Sequence, residues 1–254
     1  MLIPLAIAAA YAGGWFWLGL VVLAATGLYV EWLMVVGAFG SRAVMIGVVS
    51  LVAAGAALAL SRVDFALGIL ALGVIVVALI SSERRGWIAL GLSYASAALF
   101  ASVLLRLDQV WGFAALMLVL LIVWATDIGG YFAGRGLGGP KLWPRVSPKK
   151  TWAGAIGGFA ASLAVAAGFA ALGLGKTIPL LLLAAALSIV SQSGDLFESA
   201  VKRRFGVKDS SHLIPGHGGL LDRLDGFVFA VVVAALIGFL RHAADGAGRG
   251  LMVW

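Results

Sequence analysis

Cysteine is absent from this chain. Disulfides, thiolate metal ligands and cysteine nucleophiles are therefore excluded, and the redox compartment is left open. Charge is scarce too. Acidic and basic residues fill 11% of the 254 positions, where a soluble domain carries about 25%. No positive residue precedes Arg42, so the start lacks the basic region of a secretory signal peptide and reads as a retained helix. No His/Cys pattern for zinc is present, nor any Walker-type or dinucleotide glycine motif. A separate soluble domain, a linker, a low-complexity tract and a fixed repeat period are all missing.

Apolar residues make up 63% of the chain, well above the ~45–50% of soluble domains. This composition describes an integral membrane protein. Lipid is as apolar as leucine, so helix association rests on close packing, which 35 glycines suit. The net charge of +7 fits anionic headgroups or an anionic substrate.

Nine apolar segments are expected near 2–12, 15–36, 42–60, 64–81, 87–106, 110–134, 152–173, 177–203 and 220–241. The fold predicted is an all-α polytopic bundle of about nine transmembrane helices, one membrane domain over 1–254. Within it, 1–106 reads as scaffold or dimer-forming helices and 107–241 as catalytic helices. The first segment carries Pro4 and falls short of the ~20 residues of a full span. Glu31 interrupts the second and reads as a snorkelling or locally satisfied carboxylate.

Orientation follows from lysine and arginine. One side collects thirteen: Arg42, Arg84, Arg85, Arg135, Lys141, Arg145, Lys149, Lys150, Lys202, Arg203, Arg204, Lys208 and Arg223. The other has five: Arg62, Arg106, Lys176, Arg241 and Arg249. The rich side is expected to be cytoplasmic.

Four constellations lie on that side. Asp127, in Trp124-Ala125-Thr126-Asp127-Ile128-Gly129-Gly130-Tyr131, sits seven residues before the expected end of its helix, about 10 Å inside. An aspartate at that depth should face protein, metal or water. The connection 135–151 is rich in glycine and proline and is expected to lack regular structure. It ends in Ser147-Pro148-Lys149-Lys150-Thr151. Thr151 suits a helix N-cap, and two lysines at a helix start suit phosphate, or simply orient the helix. Asp195, Glu198 or Ser199, and Lys202 share one helical face, as a site or as an internal ion-pair ladder. Last comes Pro215-Gly216-His217-Gly218-Gly219 followed by Asp222-Arg223-Leu224-Asp225. Asp222 and Asp225, one turn apart, suit Mg²⁺, which prefers oxygen ligands and keeps positions for substrate phosphates. His217 either meets phosphate or caps the loop.

The span Ser199–Asp225 alone holds five basic side chains, three carboxylates and two of three histidines. Acids with lysines and arginines at helix ends describe metal-assisted phosphoryl or nucleotidyl transfer.

Ser199-x-x-Lys202-Arg203, then Lys208-Asp209, then Pro215-x-His217-Gly218-Gly219-x-x-Asp222-Arg223-x-Asp225 resembles the signature of the phosphatidate cytidylyltransferases (CDP-diacylglycerol synthases). Asp127 with Tyr131, Ser147–Thr151 and Gly194-Asp195-Leu196 resemble further landmarks of that family. The resemblance covers the last four apolar segments; the N-terminal half is similar only as a hydrophobic pattern. Ala153 departs from it, since relatives often carry glutamate there.

The resemblance implies transfer of CMP from CTP to phosphatidate, giving CDP-diacylglycerol and pyrophosphate. It implies Mg²⁺, a second monovalent cation such as K⁺, a homodimer in the cell (inner) membrane, and no nucleic acid. By the same resemblance Asp222 is the main metal ligand, with Asp195, Asp127 and Asp225 completing or supporting the site. Lys149, Lys150, Lys202, Arg203 and Lys208 hold phosphates, and Arg223 the departing pyrophosphate. Thr151, Ser199, His217, Gly218 and Gly219 join the substrate site. Alternatives are CMP transfer to another membrane lipid phosphate, transport of a phosphorylated or anionic solute, and a structural scaffold.

Overall fold

The computed structural model describes residues 2–211, 218–242 and 246–254. In chain order it has α1 (Leu2–Ala12), α2 (Gly14–Val35), α3 (Arg42–Ala59), α4 (Val63–Ile80), α5 (Arg85–Leu107), α6 (Gly112–Gly136), β1 (Lys141–Trp143), β2 (Ser147–Thr151), α7 (Trp152–Ala171), α8 (Thr177–Arg204), α9 (Leu221–His242) and α10 (Ala247–Met252). Each expected apolar segment is a helix within about two residues of its reading. Among the described residues eight helices, α2 to α9, are long and apolar enough to cross a membrane. The nine expected segments are α1 to α9, and α1, with 11 residues, is the one too short for a full span, as its sequence suggests. The chain is a multi-pass membrane protein.

Two compact units divide the chain: Met1–Val103 with Arg204–Leu224, and Leu104–Arg203 with Asp225–Trp254. In the first, α2 packs on α3 and α3 on α4. Buried indole and phenol groups reach for backbone oxygens, as polar tips in apolar surroundings must. Tyr29 Oη donates to the Ala43 carbonyl at 3.0 Å, Trp17 Nε1 to Ser102 at 3.1 Å and Trp32 Nε1 to Trp87 at 2.8 Å. On α4, Phe65, Leu72 and Leu79 are exposed, as residues meeting acyl chains are in a membrane protein.

In the second unit α6 packs closely on α7. Small residues make this crossing: a side chain at Gly129 would press on the Gly157 carbonyl at 2.9 Å, and one at Gly158 would collide with the Thr126 carbonyl. Close backbone approach is how helices associate in lipid. Gly158→Ala is therefore expected to lower the thermal unfolding midpoint in detergent, the overpacking costing ~1–3 kcal/mol. Gly158→Leu should prevent accumulation of folded protein, read by size-exclusion chromatography.

The connection 135–151 differs from its reading. α6 continues through Gly136, and β1 and β2 form an antiparallel hairpin pairing Lys141 with Thr151 and Trp143 with Ser147, with an irregularity between. Proline does not forbid this, because each strand of a two-stranded ribbon is an edge and Pro148 need not donate to the ladder. Val146 N donates to Trp143 O at 3.1 Å across the turn, and Trp152 N to Pro140 O at 3.0 Å. The hairpin delivers Lys149, Lys150 and Thr151 at the start of α7. Thr151 is its N-cap, Oγ1 accepting from Gly154 N at 3.1 Å.

Candidate functional site

Each unit holds a share of the expected residues. In the second, strand alternation turns Lys149 outward, while Lys150 is half-buried. Lys150 Nζ forms an ion pair with Asp195 Oδ2 on α8. One turn further along α8, Lys202 Nζ pairs with Glu198 Oε2 at 2.7 Å, and both side chains are largely buried. The predicted helical face therefore separates into two pairs: Glu198–Lys202 is an i, i+4 ladder, while Asp195 takes its lysine from the hairpin. Ser199 is half-buried beside them and Arg203 is exposed.

Asp225 on α9 reaches this group because Gly194 lets the backbones of α8 and α9 close up. A side chain at Gly194 would meet the Asp225 carbonyl at 2.7 Å and Phe229 Cβ at 3.0 Å. Asp225 Oδ1 accepts from Gly226 N at 2.8 Å. It lies within electrostatic reach of Asp195, Glu198 and Asp127, and Asp127 within that of Asp195 and Lys150. Asp127 is the exposed member. Thr126 beside it is buried and donates to Ser188 Oγ at 3.0 Å, tying α6 to α8.

Four carboxylates thus gather near two lysines at the ends of membrane helices. Like charges held this close are stabilised by cations. The donor chemistry, oxygen only, fits a hard divalent ion. Among the described residues no three His, Asp or Glu side chains surround one point as a metal cage would. Mg²⁺ does not require such a cage: one or two carboxylates, waters and substrate phosphates are its usual ligands.

The first unit holds Asp222 in the opening turn of α9. Its Oδ2 accepts from Gly219 N at 3.0 Å, Ser210 N at 3.1 Å and Ser210 Oγ at 3.0 Å. Gly218 lies against the same oxygen. Asp222 also serves as the acidic residue favoured in a first turn. Lys208 and Arg223 are exposed nearby in sequence. His217 lies outside the described residues.

Glu31 is where the sequence reading falls short. It is fully buried, so it does not snorkel. It is satisfied, but by groups far along the chain: Ser211 Oγ at 2.7 Å and Leu220 N at 2.8 Å donate to Oε1, Leu221 N at 2.7 Å and Ser210 Oγ at 3.0 Å to Oε2. Ser210 and Ser211 escape the sequence reading as well. The only signal was one acid inside an otherwise apolar run.

Residues 1–240 match the model of the cytidylyltransferase family. Among curated proteins, the chain is 53% identical over 165 residues to the "Phosphatidate cytidylyltransferase" of Brucella suis biovar 1, covering 63% of this chain and 60% of the relative. The protein of the same name from Bacillus subtilis is 45% identical over 129 residues, 50% of this chain and 47% of the relative. That from Haemophilus influenzae is 45% identical over 130 residues, 49% and 45% respectively. The chain spans 60% or less of the length of these relatives. With acids and bases gathered at its helix ends and a family match running from residue 1 to residue 240, the chain belongs to the cytidylyltransferase family.

Proposed function

We propose that this protein transfers CMP from CTP to phosphatidate, forming CDP-diacylglycerol and pyrophosphate. The observation that carries the reading is the group formed by Lys150–Asp195, Glu198–Lys202, Asp127 and Asp225 in the second unit. The names of the Brucella, Bacillus and Haemophilus relatives support the choice of substrates.

An oxygen of the lipid phosphate attacks the α-phosphorus of CTP. The new P–O bond forms as the bond from the α-phosphorus to the bridging β-phosphate oxygen breaks, and pyrophosphate leaves with that electron pair. A phosphate monoester is already anionic at neutral pH, so no strong base is required. Catalysis then consists of positioning and charge neutralisation. In the second unit Lys149, Lys150, Lys202 and Arg203 suit phosphate oxygens, and in the first Lys208 does. Arg223 takes charge on the departing pyrophosphate. In the second unit Asp195, Asp225 and Asp127 are residues that would hold Mg²⁺, and K⁺ if a second cation binds; in the first, Asp222 offers the same oxygen chemistry. Bound there, Mg²⁺ would neutralise the triphosphate and favour attack at the α-phosphorus. Because phosphatidate stays in lipid, a multi-pass bundle suits the reaction. The lysine and arginine bias supports a site on the cytoplasmic side of the cell membrane, and the family resemblance supports a homodimer.

The test uses purified protein in detergent with CTP, phosphatidate and Mg²⁺. CDP-diacylglycerol and pyrophosphate are expected in equal amounts, with no product when Mg²⁺ is chelated. Preference for a polyprenyl phosphate acceptor, or anion uptake by proteoliposomes without CTP turnover, would replace the reading.

A further inference from the structure

We infer that Glu31 is a positioning residue for the site around Asp222, acting through hydrogen bonds and never meeting substrate. Three features carry this. First, its four bonds are made on both sides of residues 212–217: Ser210 and Ser211 before them, Leu220 and Leu221 after. One carboxylate thus fixes both the turn that contributes Ser210 to Asp222 and the helix start that carries Asp222. Hydrogen bonds to an ionised acceptor are short and roughly twice as strong as neutral ones.

Second, Ser210 Oγ stands 3.0 Å from Glu31 Oε2 and 3.0 Å from Asp222 Oδ2. A hydroxyl carries one proton, so it serves one carboxylate at a time. Donation to Glu31 leaves Asp222 held by the backbone N–H groups of Ser210 and Gly219, with its negative charge less quenched. Glu31 therefore sets the place of the Asp222 oxygen and which donors hold it.

Third, the end of α2 that carries Glu31 is held from several directions. Trp32 Nε1 bonds Trp87 O at 2.8 Å, and the Arg84 guanidinium binds the Val36 carbonyl just past the helix. Arg84 does this with a left-handed backbone, φ 54°, rare for a side-chain-bearing residue. It also lies over the Phe205 ring at 5.6 Å, while Phe205 packs edge-on to Trp87 at 5.2 Å. A group that positions others needs such a rigid base. A purely structural role, as an anion at the N-terminus of α9, predicts a loss of stability alone.

The inference rests on the proposed reaction for its kinetic arm only. Glu31→Gln, Glu31→Asp, Ser210→Ala, Asp222→Ala and the unaltered protein are compared by unfolding midpoint, by kcat and KM for CTP and phosphatidate, and by Mn²⁺ binding followed by electron paramagnetic resonance without substrates. Partners that orient a ligating group are typically worth 10–100-fold. Glu31→Gln is expected to lower kcat and weaken Mn²⁺ binding by that factor, with KM for phosphatidate changed less than about twofold. Glu31→Asp, which keeps the charge, should recover part of both. Ser210→Ala removes only the bridge and should move both by about 3–10-fold, which keeps the test decisive if Glu31→Gln does not fold. Wild-type kcat and Mn²⁺ binding in both variants, with or without a lowered midpoint, overturns the inference. If the unaltered protein makes no CDP-diacylglycerol, the proposed function fails, and Mn²⁺ binding alone then decides the role of Glu31.

Discussion

Asp222→Ala is expected to reduce the proposed turnover by about 10²–10³-fold, the usual loss when one preorganised electrostatic group is removed. Three donors now converge on its Oδ2: Gly219 N, Ser210 N and Ser210 Oγ. The two backbone N–H groups fix this oxygen in place, and the Ser210 hydroxyl, shared with Glu31, is a third donor within reach. Alanine leaves them without this acceptor, which costs about 1–3 kcal/mol for each donor that water does not reach. Activity and unfolding midpoint must therefore be measured on the same preparation. A midpoint shift with turnover within threefold of wild type would make Asp222 a helix cap and no more. Asp222→Asn refines the test: it preserves the shape and one carbonyl acceptor, yet should remain as inactive as alanine if the negative charge is what matters.

The second large effect concerns Lys150 and Asp195, joined as an ion pair between hairpin and α8. Alanine at either position is expected to lower turnover at least a hundredfold, and the double variant to be no worse than the poorer single one. Groups that act as a unit are non-additive in this way. The expected effect on stability is smaller. The two side chains are 27% and 32% exposed, so water screens them and the loss stays below the ~3–5 kcal/mol of breaking a fully buried pair. Two losses that multiply in the double variant would mean that lysine and aspartate serve separate steps. Lys150→Arg adds a geometric check. The planar guanidinium has a different donor geometry from an ammonium, so charge is kept while the pairing with Asp195 must change.

The helices were legible because long apolar runs broken by Arg, Gly and Pro state their ends directly. The hairpin at 141–151 was not, because its strands carry lysine and proline where a buried strand would carry alternating apolar residues. Its pairing comes from the turn at Trp143–Val146 and its attachment to α7. Candidate acids at Asp127, Asp195, Asp222 and Asp225 were visible because charge is conspicuous at the ends of apolar runs. Their partners were not. Nothing local to Asp195 announces Lys150, and the i, i+7 reading favoured Lys202, which pairs with Glu198 instead. Glu31 shows the limit most clearly. Its bonds reach 179 to 190 residues away, and no periodicity or spacing rule operates over such a distance.

That separation has a consequence for biogenesis. Helix α2 leaves the ribosome bearing an acid whose last partner, Leu221, is 190 residues downstream. At about 5–20 residues per second, translation takes roughly 10–40 seconds to make that partner. Throughout that interval the nascent protein holds an unsatisfied carboxylate at the edge of lipid, where water at the insertion machinery must solvate it. Closure around Glu31 thus waits until residue 221 has been made, and chains arrested before that point should remain engaged with insertase or quality-control proteases.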